Sequence, residues 1–456
     1  MESGTHQPHA LFLPYPAQGH INPMLQFAKR LSSHGLRATL VTTRFLLSTT
    51  RPELGPVALA SISDGFDRGG FAEAGSGPAY QDRFESVGST TLDDLVRSER
   101  AAGRPVRVLV YDSHLPWARD VGERHGLVTV SLFTQPCSVN IVYGLVKEGR
   151  LRMPVTEPVS LPGLPRLEPD CLPSFVVEAD LAYAWCLKAL LEQYKNLEKA
   201  DVVFVNSSYE LQPEEADYMR SIWRAKIIGP MVPSSYLDNR LPSDSHYGFD
   251  LQHSPSINLC MQWLDSGPSN SVVYVSFGTV AALDPSQMVE IAFGLLNSGK
   301  RFLWVVRSSE SFKIPENMKD LPSERGLVVS WIPQMAVLSH KAVGCFLTHC
   351  GWNSTMEGIT LGVPMVGVPQ WTDQPMNAKY IEDVWRVGVR ARANEKGLVG
   401  REEVERCVRV VMEGERSEEI RRNARKWGEL AKKSVEEGGS SDRNIAEFVA
   451  RYCSSK

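Results

Sequence analysis

Short apolar runs alternate with helical stretches along most of this chain. His9 to Pro16 (HALFLPYP) is a compact apolar run; Met24, Phe27, Ala28 and Leu31 follow at helical spacing, then Gly35 and LRATLVTT. That order predicts a strand, helix, strand unit. The runs VRVLVYD (106–112), LVTVSLF (127–133) and DVVFVN (201–206) continue the alternation, so the first half reads as a mostly parallel, doubly wound sheet ending near residue 230. Residues 231–256 are rich in Pro, Ser, Asp and Asn without an apolar period, and read as a linker or exposed loop. A second alternation starts at SVVYVSFG (271–278) and continues through RFLWVV, GLVVSW, GCFLTH and VPMVGVP. Its first helix is expected to open on a capping box, with Asp284 as N-cap, Pro285 at the first helical position and Gln287 at the third. Beyond Arg401 the chain is charged and helical, with a break at Gly438 and Gly439 before a last helix. The pattern therefore predicts an α/β chain with domains at 1–230 and 257–438, a linker at 231–256 and a terminal helical segment at 439–456.

Composition narrows the possibilities without choosing among enzymes. At 456 residues, 43% hydrophobic and 22% charged, the chain has a globular balance that excludes collagen, coiled coil and wholesale disorder. Lys plus Arg number 49 against 53 Asp plus Glu, a net charge of -4, so no basic field draws it to nucleic acid or anionic lipid. The eight cysteines are scattered without CxxC pairs, which fits reduced thiols. The N-terminal MESGTHQPHA lacks the charged and apolar regions of a leader, and no apolar run reaches about 18 residues. The expectation is a cytoplasmic protein without stable membrane insertion, in which the N-x-[ST] matches at Asn206 and Asn353 stay unmodified.

Several apparent motifs carry no chemistry. GLLNSGK (294–300) matches GxxxxGK, but Arg301 stands where a magnesium-binding Ser or Thr belongs, and the segment ends a helix and leads into a strand, the reverse of a phosphate loop. No GxGxxG opens either half, so a doubly wound fold does not here imply NAD. His114 and His125 lie near acidic residues without ligand spacing, and no metal site is expected.

Chemistry concentrates between Trp331 and Gln374. GCFLTH ends as a strand, Gly351 admits close backbone approach, and Asn353 is placed to cap the following helix. Orphan N–H groups and the helix dipole would then face an anion at the sheet's carboxyl edge, and a diphosphate is the natural ligand. Glu357, about one turn into the helix, could take two vicinal ribose hydroxyls, and Trp331 could stack on a base. Singly, each has a structural explanation, a buried Trp or a capping Asn; together at this spacing they resist one.

The 44-residue stretch WIPQMAVLSHKAVGCFLTHCGWNSTMEGITLGVPMVGVPQWTDQ resembles the signature box of plant UDP-dependent glycosyltransferases of family 1, and PAQGHINPMLQFAKRL resembles the same family's catalytic-histidine segment. The resemblance spans essentially the whole chain. It implies two facing Rossmann-like domains (GT-B architecture), with the C-terminal helix crossing back to the first. It implies that Trp331 stacks uracil, Ile332 offers backbone to its edge, and Gln334 and Glu357 hold ribose. His349, Asn353, Ser354 and the Ser276 to Thr279 turn would take the phosphates, with Gly351 among the donor-binding residues, while Trp352, Asp373, Gln374 and the Thr134 region would face the sugar. The terminal Gln is similar to that of UDP-glucose users, and no Arg or Lys is dedicated to a sugar carboxylate. UDP-glucose is thus expected as co-substrate, with no cofactor and no metal.

His20, where the first strand ends and before a helix expected to open at Asn22 and Pro23, would serve as general base at an inter-domain crevice, and Asp112, at the end of VRVLVYD, would orient it. In-line displacement would invert the anomeric centre. The subgroup that the chain resembles acts on carboxylic acids, thiohydroximates and steroid or triterpenoid alcohols, which points to an apolar small-molecule acceptor with Tyr15, Phe175 and Trp371 as pocket walls. A monomer without nucleic-acid partners is expected. A UDP-sugar epimerase or hydrolase, and a non-catalytic sugar-nucleotide binder, remain as alternatives.

Overall fold

The computed structural model describes residues 7–177, 184–249, 257–279, 281–318, 321–322 and 324–453. The chain divides into two compact units, the first formed by Met1–Leu167, Phe175–Leu251 and Lys433–Lys456, the second by Glu168–Ser174 and Gln252–Lys432.

The first unit holds seven parallel strands: β1 (His9–Leu13), β2 (Arg37–Thr43), β3 (Ala58–Ile62), β4 (Val106–Asp112), β5 (Val128–Phe133), β6 (Val202–Val205) and β7 (Lys226–Ile227). Their order is β3-β2-β1-β4-β5-β6-β7. The chain winds outward from β1 to one edge and then crosses to β4 on the other side, so β1 and β4 flank a topological switch point, where such sheets hold ligands. Both faces are covered, which explains why β1 is buried throughout and apolar from Ala10 to Leu13. Ala10 and Phe12 pack with Met24, Phe27, Ala28 and Leu31 of helix Gln18–Ser33. Leu11 and Leu13 point the other way, onto Tyr80, Phe84, Leu92 and Val96 of helix Gly77–Ala101. Each such burial contributes about 1.5–3 kcal/mol, and Phe12→Ala would cost roughly 3–5.

The second unit repeats the plan with β8 (Val272–Ser276), β9 (Arg301–Val305), β10 (Gly326–Val329), β11 (Val343–Thr348), β12 (Met365–Gly367) and β13 (Gly388–Arg390). All are parallel, in the order β10-β9-β8-β11-β12-β13. The switch point here lies between β8 and β11.

Several expectations need correction. Helix Gln18–Ser33 begins before Asn22 and Pro23, so His20 is its third residue and Pro23 lies inside. A proline this close to the start removes only one early helical bond. Asp284 is the N-cap of helix Pro285–Asn297, but its side chain makes no cap bond. Gln287 instead exchanges two bonds with the backbone of Val399, at 2.9 Å each. The segment read as linker from 231 folds onto the first unit as far as Phe249, and its remaining residues lie outside the described ones. Its polar composition satisfies buried cations on the first helix. Lys29 Nζ donates to Asp244 at 2.6 Å and to the carbonyls of His246 and Tyr247, while Arg30 pairs with Asp238 at 2.9 Å. The terminal segment joins the first unit from Lys433, with Ile445, Phe448 and Cys453 in the core beside Phe27 and Phe204.

Candidate active site

In the first unit, Asp112 ends β4 and is fully buried. Burial by itself would raise its carboxyl, yet the imidazoles of His20 and His114 outweigh that and hold it well below the usual carboxylate range. One oxygen faces His20 Nδ1 at 2.8 Å and the Tyr15 N–H at 3.3 Å; the other faces His114 Nδ1 at 3.1 Å and accepts the His114 N–H at 3.0 Å. A bond to an ionised carboxylate puts the ring proton on Nδ1 and leaves His20 Nε2 with its lone pair outward. The Thr134 hydroxyl lies 3.3 Å from the same Nδ1, beside the histidine.

The spacing of His114 suggests no ligand set, yet ligand atoms of His20, Asp112 and His114 lie within 4.8 Å of one another. The rings of His20 and His114 meet edge to face at 4.8 Å. Burial lowers the pKa of His114. His125 is elsewhere, bonded to Asp93 at 2.8 Å.

Tyr15 sits 5.4 Å from the His20 ring and 6.4 Å from Tyr80, and burial pushes its hydroxyl up to about 12. Tyr80 donates to the buried Asp64 at 2.7 Å, and around it gather Phe66, Phe71, Phe84 and, beyond Phe71, Trp185. No sequence period announces this aromatic wall, because its members are spread from residue 66 to 185. Phe71 is 50% exposed, so part of the wall meets solvent. Phe175 is buried in the short helix Ser174–Val177 of this chain, and Trp371 is half-buried in the second unit.

In the second unit, β8 leads into the turn Ser276 to Thr279 and β11 into His349, Cys350 and Gly351. The His349 ring occupies the gap left by two glycines. A Cβ on Gly278, which has φ +72°, would stand 2.8 Å from the ring, and one on Gly351 would stand 2.5 Å from Nε2. Burial lowers the His349 pKa to about 4; the Ser276 backbone opposes this and Arg307 adds to it. Arg307, unforeseen in the sequence, donates to the carbonyls of Thr279 and Ala281.

Helix Trp352–Thr360 starts with Gly351 as its N-cap. Asn353 is therefore the second helical residue and not the cap. Four residues on, Glu357 is buried and accepts from Gln334 Nε2, which also donates to Ser354 Oγ at 3.0 Å. Gln334 Oε1 accepts from the Tyr274 hydroxyl at 3.1 Å. Tyr274 was also unforeseen, although a tyrosine within the valine run VVYVS was a signal. Trp331 is half-buried just past β10, and Ile332 is buried beside it.

Asp373 is buried, which raises its carboxyl against the pull of Thr372, Asn377 and the Trp352 N–H. Trp352 is itself buried, its ring 6.3 Å from that of Trp385. Gln374 Oε1 accepts the N–H groups of Gln370 and Trp371 at 2.9 and 3.2 Å, so its amide nitrogen is the end available to a ligand. The structure thus gathers the expected donor residues of the second unit along one sheet edge, and His20, Asp112, Thr134 and Tyr15 around one carboxylate in the first.

Residues 228–427 match the family described as UDP-glucoronosyl and UDP-glucosyl transferase. Crocetin glucosyltransferase 2 of Crocus sativus is 54% identical over 98% of this chain and 97% of its own. The chain belongs to this family. The flavonol 7-O-beta-glucosyltransferase of Arabidopsis thaliana is 46% identical over 97% of this chain and 98% of its own. The crystal structure of Os79 from O. sativa in complex with UDP aligns with a TM-score of 0.92 at 50% identity, covering 97% of this chain and all of that one. The protein is a UDP-glycosyltransferase of GT-B fold that acts with a UDP-sugar. Among its described residues no helix is long and apolar enough to cross a membrane.

Proposed function

We propose that this UDP-glycosyltransferase moves glucose from UDP-glucose to a hydroxyl or carboxyl of an apolar small molecule, with inversion at the anomeric carbon. The observation that carries the reading is the 2.8 Å contact of His20 Nδ1 with a buried, ionised Asp112. In its neutral form the ring takes the acceptor's proton at Nε2 as the acceptor oxygen bonds to the anomeric carbon, and Asp112 stabilises the imidazolium. The bond from that carbon to the diphosphate breaks, and UDP leaves with the electron pair. Backbone N–H groups at the start of helix Trp352–Thr360, with His349, Ser354 and the Ser276 to Thr279 turn, meet the charge that develops there. Trp331 and Ile332 take uracil, Gln334 and Glu357 the ribose, and Trp352, Asp373 and Gln374 the hexose. The wall of Phe66, Phe71, Tyr80 and Trp185 near Tyr15 supports an apolar acceptor. No metal takes part in this reading, because the carboxylate of the His20, Asp112 and His114 cluster, the one such group among the described residues, is already engaged by both imidazoles; full activity in EDTA is expected.

UDP release from UDP-glucose, followed with and without a panel of phenols, carboxylic acids and triterpenoid alcohols, tests the proposal. Release should depend on acceptor, and the product should be the β-glucoside by NMR. Equal release without acceptor would make the protein a hydrolase, and no release with any member would favour a binder.

A further inference from the structure

Segment Glu168–Ser174 belongs to the second unit although the chain on both sides of it belongs to the first. It is tied down at two points. Arg390, at the end of β13, donates from Nη2 to the Asp170 carbonyl at 2.6 Å, and its Nη1 lies 3.2 Å from both the Asp170 carboxylate and Cys171 Sγ. Ser174 exchanges two bonds with Thr372: its N–H donates to the Thr372 carbonyl, and its Oγ accepts the Thr372 N–H, both at 2.9 Å.

Thr372 has φ +57°, in the left-handed region that a β-branched residue avoids. A residue stays there only where its surroundings hold it. Ser174 grips both backbone polar groups of Thr372, and the Thr372 hydroxyl donates to Asp373 at 2.7 Å. The second Asp373 oxygen accepts from Asn377, whose amide also reaches the Cys350 carbonyl at 2.8 Å. Each Asp373 oxygen is thus fixed by a neighbouring side chain, and the Gln374 side-chain oxygen by two backbone N–H groups. What remains adjustable is the angle of the turn, and Ser174 sets it.

We propose that Glu168–Ser174 is a latch on the hexose site, with Ser174, supported by Arg390, as a positioning residue for donor-sugar choice. The inference rests on the reading of Asp373 and Gln374 as hexose contacts. Only a ligand carrying the hexose should sense the latch. UDP should not.

Calorimetry on the full chain with UDP, UDP-glucose and UDP-galactose, in the absence of acceptor, separates these effects. Ser174→Ala should keep its UDP affinity within about twofold, while its affinity for UDP-glucose relative to UDP, and its preference for glucose over galactose, fall about two- to tenfold. Ser174→Thr should restore both, and Arg390→Gln should shift them in the same direction by less. Unchanged UDP affinity also certifies the fold of each variant. If Ser174→Ala weakens UDP and UDP-glucose equally, Ser174 is merely structural and the latch is wrong. If Ser174→Ala keeps the wild-type ratios while Asp373→Asn loses them, the latch fails and the hexose reading stands. If Asp373→Asn keeps them too, the hexose reading fails and the latch with it.

Discussion

The two sheets share a winding order and differ in what they place at the switch point. In the first, the ends of β1 and β4 present ionisable side chains: His20, His114 and Asp112 converge within 4.8 Å. In the second, the ends of β8 and β11 present glycines, small hydroxyls and a helix N-terminus around a histidine that burial holds near pKa 4. One topology thus carries two electrostatic tasks. A carboxylate that stays charged under two imidazoles suits proton handling; backbone donors around an uncharged ring suit an anion. The division comes from the residues at the strand ends, and the topology supplies only the place.

The largest effect should come from breaking the first side alone. His20→Ala should lower transfer to alcohols and phenols by roughly 10²–10⁴-fold, while transfer to carboxylic acids, ionised near pH 7, stays measurable and UDP affinity is unchanged. Wild-type rates with alcohols would remove His20 as the base, and total loss with carboxylates would give it a positioning task as well.

Breaking the second side should do the reverse. Trp331→Ala and Glu357→Ala should each weaken UDP binding by about 1–3 kcal/mol, through lost stacking and lost ribose contacts. Calorimetry that finds UDP affinity intact in both variants would sink the nucleotide assignment.

The donor side reads easily in sequence because it is nearly contiguous. From His349 to Glu357, strand end, turn and helix start follow one another, so spacing and geometry coincide. The proton-handling side does not read so directly. His114 lies two residues from Asp112, a spacing that looks like no ligand set, and only the turn closed by the Leu115 N–H to the Asp112 carbonyl at 2.8 Å brings its ring back to the carboxylate. Arg307 and Tyr274 reach the donor site across neighbouring strands, a relation that depends on register. The segment from 231 reads as linker in sequence because the polar residues that bind buried Lys29 and Arg30 have the composition of a solvated loop. The winding of the sheets was legible from apolar runs, but β3 and β13 were not: ALASI is short and half of its apolar residues are alanines, and GVR spans only three residues, too few to separate from loop.

A smaller effect tests sugar choice. Gln374→His should raise use of UDP-galactose relative to UDP-glucose by about 0.5–1.5 kcal/mol, one hydrogen bond's worth. Because Gln374 Oε1 also holds the Gln370 and Trp371 N–H groups, total rate should fall as well. An unaltered donor ratio would move donor choice elsewhere.

The smallest expected signal concerns His349 and pH. Its folded pKa, about 4, lies below the ordinary 6.5, so between these values the unfolded chain binds the extra proton. Stability then rises with pH across that window; the contribution is complete above 6.5 and lost as pH falls toward 4. His349→Gln should flatten the Tm profile between pH 4 and 6.5 without removing the slope that the other depressed histidines, His9, His34 and His114, contribute. An identical profile would mean that the ring is solvated in the folded state.

The last helix has a consequence in time. Ile445, Phe448 and Cys453 fill the core beside Phe27 and Phe204, whose strands and helix leave the ribosome long before them. Nearly all of the second unit, Gln252–Lys432, is made in between. At about 5–20 residues per second, the first sheet waits roughly ten to forty seconds with that apolar face uncovered. The second unit can close as it emerges, whereas the first finishes only once Ile445, Phe448 and Cys453 have followed it out. The nascent chain therefore offers chaperones a surface that the finished enzyme no longer has.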